Sequence, residues 1–291
     1  MSSRLSKGER AFYLINNALV FIIVLCTLYP FIYILSASFS DPYAVVRGEV
    51  IFFPKGWTLE AYQNVFSTNE LWWSYANTLW YVVVGTFFNV ILTSMMAYPL
   101  SRRNFYGRTA VNLFIAVTLF FTAPLVPTFL VVKSMGLIDS MWALVIPTAI
   151  DTFYVIIMRS FFSELPESLI EAAKIDGCND LQILGKIVIR LSGPVIAVMV
   201  LFYAVFHWNS YFSALLYLND EKKYPLQMIL RKILIGLDAN SMAGGAYDRK
   251  DLVTMSVRFA TIIVSTVPIL CIYPFLQKYF VKGIMVGAIK G

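Results

Sequence analysis

The side chains with the most chemical capacity in this sequence lie inside apolar runs. Asp151 stands near the middle of one such run, and His207, the only histidine, near the middle of another. Ionisable groups in such positions are costly and are functional candidates by default. Tyr203, His207 and Tyr211 are four apart, so a helix would bring them to one face. With Trp208 and Asn209 they offer hydroxyl, imidazole and amide groups beside aromatic faces, a combination suited to a sugar. A relay of protons or ions through Asp151 and His207 is a second chemistry. The plainer alternative is that both are satisfied interhelical contacts holding a bundle. Arg159 and Arg258 sit near the ends of runs and are expected to snorkel to the surface. With one histidine there is no HExxH, and Cys26, Cys178 and Cys271 form neither a CxxC pair nor a zinc spacing. No catalytic residue and no metal ligand is assigned.

These residues need a scaffold embedded in lipid. The chain has 291 residues, of which 59% are hydrophobic and only 14% charged, with a mean hydropathy of +0.71. A soluble domain carries about 25% charged residues. A chain this apolar could not cover its surface with polar groups, and a bilayer removes that need. A spanning helix takes about 20 apolar residues. Six runs qualify, at about 11–39, 75–100, 109–132, 139–162, 193–218 and 255–281. Pro30, Pro124, Pro127, Pro147 and Pro268 interrupt them, which a bundle tolerates. The expectation is an all-α polytopic membrane protein with a tail at 1–10, one six-helix membrane domain at 11–281 and a second tail at 282–291. The first run resembles a signal peptide, with Arg4, Lys7 and Arg10 ahead of it and Ser36-Ala37-Ser38 mimicking a cleavage site. It is longer than the roughly 7–15 residues of a signal core and reads as a retained span.

The net charge of +6 comes from short basic clusters beside the spans. That is a pattern of membrane orientation rather than of nucleic-acid binding. Arg4, Lys7 and Arg10, then Arg102, Arg103 and Arg108, then Lys278, Lys282 and Lys290 fall on one side of a six-span map. That side, with both termini, is therefore expected to be cytoplasmic. Trp57, Trp72, Trp73, Trp80 and Trp142 fall in or near the outer loops, as interfacial aromatics would. The loop at about 219–254 mixes both signs and is a weak counter-vote.

The segment 163–192 is the most informative loop. Pro166 suits the first turn of a helix, and Leu169, Ile170, Ala173 and Ile175 give that helix a partial apolar face. Gly177 is placed to stop it in the left-handed region. Asn179 or Asp180 can cap a second helix, with Leu181, Leu184 and Val188 on one side. The predicted result is a helix–turn–helix at the cytoplasmic surface, which an ordinary interfacial loop would also produce. Gly185-Lys186 looks like the end of a P-loop, but Ile187 stands where Ser or Thr is required and the first glycine is at the wrong distance. With no ATPase of its own, the chain must draw energy from a partner or an ion gradient.

Three separated segments carry a family resemblance. Glu171-Ala172-Ala173, then Asp176-Gly177, Ile187 and Leu191 resemble the EAA loop of ATP-binding-cassette (ABC) importer permeases: E-A-A, three residues, G, nine residues, I-x-L-P. The departure is at Arg190-Leu191, where the family usually has proline; it bears on the local bend. Trp208-Asn209-Ser210-Tyr211-Phe212 followed by Ala214-Leu215-Leu216 resembles the W-N-x-[FY] and A-L-L pattern of sugar permeases. The end of the chain, 281–291, resembles the tail of the smaller maltose-transporter membrane subunit. Together the matches extend over about 70–291, and the chain is similar to oligosaccharide permeases of the lipoprotein-associated and alginate type.

The resemblance implies a type I ABC importer permease fold in the bacterial cytoplasmic membrane. It implies a non-catalytic subunit that binds no cofactor itself, with ATP and Mg held by two separate ABC ATPase subunits. Glu171, Ala172, Ala173, Asp176, Gly177, Ile187 and Leu191 would couple to those subunits, and Gly287, Lys290 and Gly291 of the tail would touch them. The other implied partners are a second homologous permease chain, an extracytoplasmic solute-binding protein reached by the 219–254 loop, membrane lipid and a carbohydrate, an oligosaccharide above all; nucleic acid is not among them. Asp151, Tyr203, His207, Trp208, Asn209 and Tyr211 are the candidate substrate pathway. An ion-coupled secondary transporter using Asp151 and His207 is the alternative, although such folds show paired broken helices in inverted repeats, which are not evident in this sequence.

Overall fold

The computed structural model describes residues 6–121, 123–241, 253, 255–271 and 274. Among the described residues every regular element is helical, so the all-α expectation stands. These residues pack as two units. One comprises the described residues up to Asn69 and from Leu230 to Val267; the other comprises Glu70–Ile229 and the described residues from Pro268.

In the first unit the helix Lys7–Ser38 opens on a reciprocal cap. Ser6 Oγ accepts the Glu9 N–H (3.2 Å) and the Glu9 carboxylate accepts the Ser6 N–H (2.7 Å). Pro30 lies inside this helix without ending it. Phe12, Leu14, Phe21 and Phe31 are all more than half exposed, a surface fit for hydrocarbon rather than water. Its last turn is different. Ser36, Ser38 and Ser40 are buried and bind the chain that folds back over them. Ser36 Oγ donates to the Phe52 carbonyl (2.7 Å), Ser40 Oγ accepts the Lys55 N–H (3.1 Å), and Ser38 Oγ lies 2.8 Å from Tyr62 OH. The Ser36-Ala37-Ser38 sequence that mimics a cleavage site is thus a buried structural knot.

In the second unit the long element is Asn69–Ser101, continuous through a π turn at Tyr81–Gly85. The six apolar runs do not all fold as continuous helices. The first and second do. The fifth breaks into Gly193–Trp208 and Phe212–Tyr217, and its longer helix is one arm of a bent pair with Asp180–Leu191 that meets at 90°. The third breaks into Arg108–Thr118 and Leu125–Ser134. The fourth is a short 3-10 turn, Met141–Leu144, then irregular chain to Asp151, then the helix Thr152–Ser163. Pro124 and Pro147 account for both breaks, since each lacks an N–H and drives its predecessor out of the helical region. The described part of the last run is the helix Met255–Cys271. Hydrocarbon gives helices no hydrophobic drive toward one another, so close packing and hydrogen bonds must hold them. Along the 69–101 helix the buried Thr86, Thr93, Ser94 and Ala97 allow close packing, and Thr93 and Ser94 add hydrogen bonds to Tyr203 and Met158.

Candidate coupling loop and transport cavity

The 163–192 loop is two short helices with a tight turn between them. Glu167–Ile175 begins behind Pro166 and ends at Asp176. Gly177 follows at φ +80°, where a side chain would strain the backbone. The Gly177 N–H donates to the Lys174 carbonyl (3.0 Å) and the Cys178 N–H to the Ala173 carbonyl (2.9 Å), which satisfies the helix end. The second helix carries a complete capping box. Asn179 Oδ1 accepts the Gln182 N–H (2.8 Å) and Gln182 Oε1 accepts the Asn179 N–H (3.0 Å). Asn179, not Asp180, is therefore the cap.

The pair is anchored by one face. Ile170, Ala173, Ile183, Leu184 and Val188 are buried in a cluster with Tyr98, Met158, Phe162 and Met199, and Ile187 is half-buried against it. Ile183 and Val188 are five apart and both fully buried, because the π turn Leu184–Val188 stacks residues at that interval. Two expectations are corrected here. Leu181 does not join Leu184 and Val188 but is 67% exposed, and Leu169 and Ile175 do not join Ile170 and Ala173 but are 44% and 86% exposed. Ala173 faces the core rather than a partner. Glu171, Ala172, Asp176, Gly177 and Leu191 are exposed, and Lys174 and Asp180 form an exposed ion pair at 3.7 Å. The bend falls after Leu191. Arg190 stays helical, Ser192 leaves the helix with its hydroxyl buried, and Gly193-Pro194 start the next one.

The candidate pathway residues separate into two groups. Tyr203 and His207 lie on the buried face of the 193–208 helix, at 1% and 0% exposure. Asn89, also fully buried, donates its amide to the carbonyls of Thr148 (2.6 Å) and Ala149 (3.0 Å) in the irregular stretch before Asp151. Its Oδ1 lies 2.8 Å from His207 Nε2, and an oxygen so placed can only accept, so this network assigns the ring proton to Nε2. Tyr203 OH accepts the Asp151 N–H (3.3 Å) and lies 2.7 Å from Thr93 Oγ1. Asn89 and Tyr203 thus satisfy backbone that the broken fourth run leaves open, and His207 braces Asn89. Asp151 stands at the start of the 152–163 helix, where its Oδ1 accepts the N–H groups of Phe153 (2.9 Å) and Tyr154 (3.2 Å). It is an N-cap, not a mid-helix charge. Trp208 is buried, edge-on to Tyr75.

Asn209 and Tyr211 behave otherwise. The helix ends at Trp208 and Tyr211 opens the next short helix, Phe212–Tyr217. Tyr211 therefore does not continue the Tyr203–His207 face, because the break at 209–211 turns it away. Both line an open cavity of about 620 Å³ with Tyr154, Phe202, Val205, Phe206 and Ser210. Phe202, Val205, Phe206 and Asn209 recur at helical spacing on the face opposite the buried one.

Toward the other end of the 69–101 helix a polar turn is tied down at Asp139, a non-glycine residue at φ +58°. Its Oδ1 accepts the N–H groups of Asn219 (3.1 Å) and Asp220 (3.0 Å), and its Oδ2 lies 3.0 Å from Lys223 Nζ. Asn77 donates to the carbonyls of Lys222 and Tyr224, and Tyr81 OH to that of Lys223. Arg159 bonds Asn112 Oδ1 at 2.5 Å rather than reaching only outward. Gly287, Lys290 and Gly291 lie outside the described residues, as do 242–252 of the 219–254 loop.

Residues 89–286 match the family described as binding-protein-dependent transport system inner membrane component. The chain belongs to that family. A permease protein of the polygalacturonan/rhamnogalacturonan transport system of Bacillus subtilis (strain 168), YtcP, is 45% identical over 96% of this chain and 97% of its own length. The protein LplC of the same organism is 41% identical over 98% and 97%. Among solved structures, a bacterial ABC transporter involved in the import of the acidic polysaccharide alginate superposes with a TM-score of 0.87 at 37% identity, over 96% of this chain and 100% of that one. The fold is that of the type I importer permeases, and the chain is a transport permease subunit of the inner membrane.

Sequence reading missed Asn89 and Gly85. A Cβ on Gly85 would fall 2.4 Å from His207 Nε2, so only glycine fits that crossing. The available signals were an amide and a glycine inside an otherwise apolar run, which are costly there unless used.

Proposed function

We propose that this chain is one of two related permease subunits in an ATP-driven importer of an oligosaccharide, acidic in kind. The sugar is handed over by an extracytoplasmic binding protein, and ATP with Mg is hydrolysed by separate ATPase subunits. The chain crosses the membrane six times with both termini in the cytoplasm. The observation that carries this reading is the 163–192 loop: one face locked into the core, the other presenting Glu171, Ile175, Gly177 and Leu181, and its second helix joined at a right angle to a span. An outward-presented, inwardly anchored element of that kind transmits a push from a soluble partner. The superposition on the alginate importer and the identity to the polygalacturonan/rhamnogalacturonan permease support the substrate class. Asn209 and Tyr211 are the side chains of the candidate pathway that meet the cavity.

The ion-coupled alternative has little to stand on, since Asp151 is engaged as a helix cap and His207 is bonded to Asn89. The deciding experiment is Gly177→Trp in the complete transporter. No atom lies within 4 Å of the position a Cβ would take there, so the bulk projects outward while the spans keep their packing. The expected result is intact assembly of the two permeases with ATPase subunits lost or ATP hydrolysis uncoupled from uptake. Wild-type uptake with full ATPase retention would remove the coupling role from this loop. ATPase stimulation across a panel of neutral and acidic oligosaccharides would test the substrate class.

A further inference from the structure

We propose that Arg102 is the positioning residue that makes the 69–101 helix move with the coupling loop. The inference rests on the reading of 163–192 as that loop. Arg102 directly follows the last turn of the 69–101 helix, where its own N–H donates to the Pro99 carbonyl (3.1 Å). Its Nη2 donates to the carbonyl of Phe162, and its Nε donates to Ser101 Oγ (2.9 Å). Its guanidinium lies 5.5 Å from the centre of the Tyr98 ring. Phe162 is fully buried in the last turn of the 152–163 helix, just ahead of the coupling helix that begins at Glu167. Ser163 Oγ reaches back to the Ser101 carbonyl at 3.4 Å.

The chemistry suits the position. The last carbonyls of a helix have no partner within it and carry partial negative charge that attracts a cation. A guanidinium meets such a carbonyl with a directional, charge-assisted bond. The apolar contacts of Tyr98 with Ile170 and Ala173 can slide, since dispersion has no direction. The Arg102–Phe162 bond, the charge-assisted one of two hydrogen bonds here beside the longer Ser163–Ser101 contact, fixes the end of one span to the entrance of the loop. Neighbouring Arg103 is exposed and serves as a control.

The test uses the complete transporter with its ATPase subunits and binding protein, in lipid vesicles. Spin labels on Asn104→Cys and Lys174→Cys read the separation of helix end and loop. In the otherwise unchanged complex and in Arg103→Met, adding ATP is expected to leave that separation constant. In Arg102→Met, ATP should shift and broaden it while basal ATP hydrolysis persists. Binding-protein stimulation of ATPase should then fall about ten-fold, the scale of one charge-assisted hydrogen bond. Arg102→Lys should recover part of both effects. An unchanged separation in Arg102→Met, or failure of both Arg102 variants to assemble, would overturn the proposal in favour of a purely structural arginine. If Gly177→Trp leaves coupling intact, the loop assignment itself falls and takes this one with it. If Gly177→Trp uncouples and Arg102→Met does not, only the role of Arg102 is lost.

Discussion

His207 Nε2 and Asn89 Oδ1 lie 2.8 Å apart where the 69–101 and 193–208 helices cross, and neither side chain has any exposed surface. The single histidine is a contact of the bundle, seated against Gly85. Gly85→Ala would push a methyl into the ring and is expected to cost about 1–3 kcal/mol of stability. His207→Ala should cost a similar amount, since it leaves Asn89 without its partner. The double variant should cost clearly less than the sum, because the clash disappears with the ring. Thermal unfolding of the purified complex measures all three, and strictly additive losses would refute the contact.

The cavity residues should give the opposite phenotype. Asn209→Ala and Tyr211→Phe remove hydrogen-bonding groups from the wall of the 620 Å³ cavity without touching the buried face. Sugar uptake is expected to drop while yield and subunit stoichiometry stay normal. His207→Ala should lower yield and stability along with uptake. If the two sets of variants behave alike, the cavity is not on the pathway.

On the coupling loop, Ile175 is 86% exposed and Glu171 stands on the same outward surface. Glu171→Ala removes a carboxylate able to form a charged hydrogen bond with the ATPase, which contributes about 1.5–3 kcal/mol. Ile175→Ser removes apolar area of the kind that anchors an interface. Each should weaken ATPase retention on co-purification by about ten-fold or more, and full retention in both would place the docking surface elsewhere.

The turn at Asp139 should be insensitive to pH over a wide range. The Asp220 N–H, the Lys223 ammonium and the Asn219 N–H hold the Asp139 carboxyl below its ordinary value of 3.8. Its contribution is therefore present above 3.8 and is lost as pH falls through the depressed folded value. Lys223 is raised above its ordinary 10.5, chiefly by its bond to Asp139. Its contribution is complete below 10.5 and is lost as pH rises through the raised value. Asp139→Asn should lower thermal stability by a constant amount from about pH 5 to 9, the gap closing only below the carboxylate range. A gap that varies across neutrality would contradict this reading.

Orientation can be read with single cysteines at positions 3 and 290. Both are expected to resist an impermeant thiol reagent in intact cells and to react once the cells are opened. Labelling of either from outside would invert the map.

Much of this was legible from spacing. Gly177 and Asn179 are local signals whose chemistry acts within a few residues, and each does what its position implies; Pro166 marks the helix start but stands just ahead of the first turn. The first two spans were legible because nothing within them frees enough backbone to stop a helix. Pro124 and Pro147 marked interruptions, but where the helices stop, after Thr118 and from Val145 to Asp151, was not legible, since hydropathy reports lipid compatibility and is blind to where backbone bonds go. Whether a helix runs on through a proline, as at Pro30, or is interrupted ahead of one, as ahead of Pro124, depends on what satisfies the freed carbonyls. At Thr148 and Ala149 that partner is Asn89, about 60 residues away in the chain. Leu181 is exposed and Ile183, which the expected face did not include, is buried with Val188, because the π turn Leu184–Val188 changes the interval at which residues stack, a change no periodicity of 3.6 anticipates.

The right angle at Ser192 makes the loop and the span a bell crank. The short arm, Asp180–Leu191, meets the long arm, Gly193–Trp208, at 90°. A push across the short arm turns that arm about the corner and tips the long arm with it. The long arm has 16 residues and at 1.5 Å per residue reaches about 24 Å, so a tilt of about 5° sweeps its far end through about 2 Å. That far end is Trp208, followed by Asn209 and Tyr211 at the cavity wall. A displacement at the free end of the short arm would therefore arrive at the cavity as sideways motion.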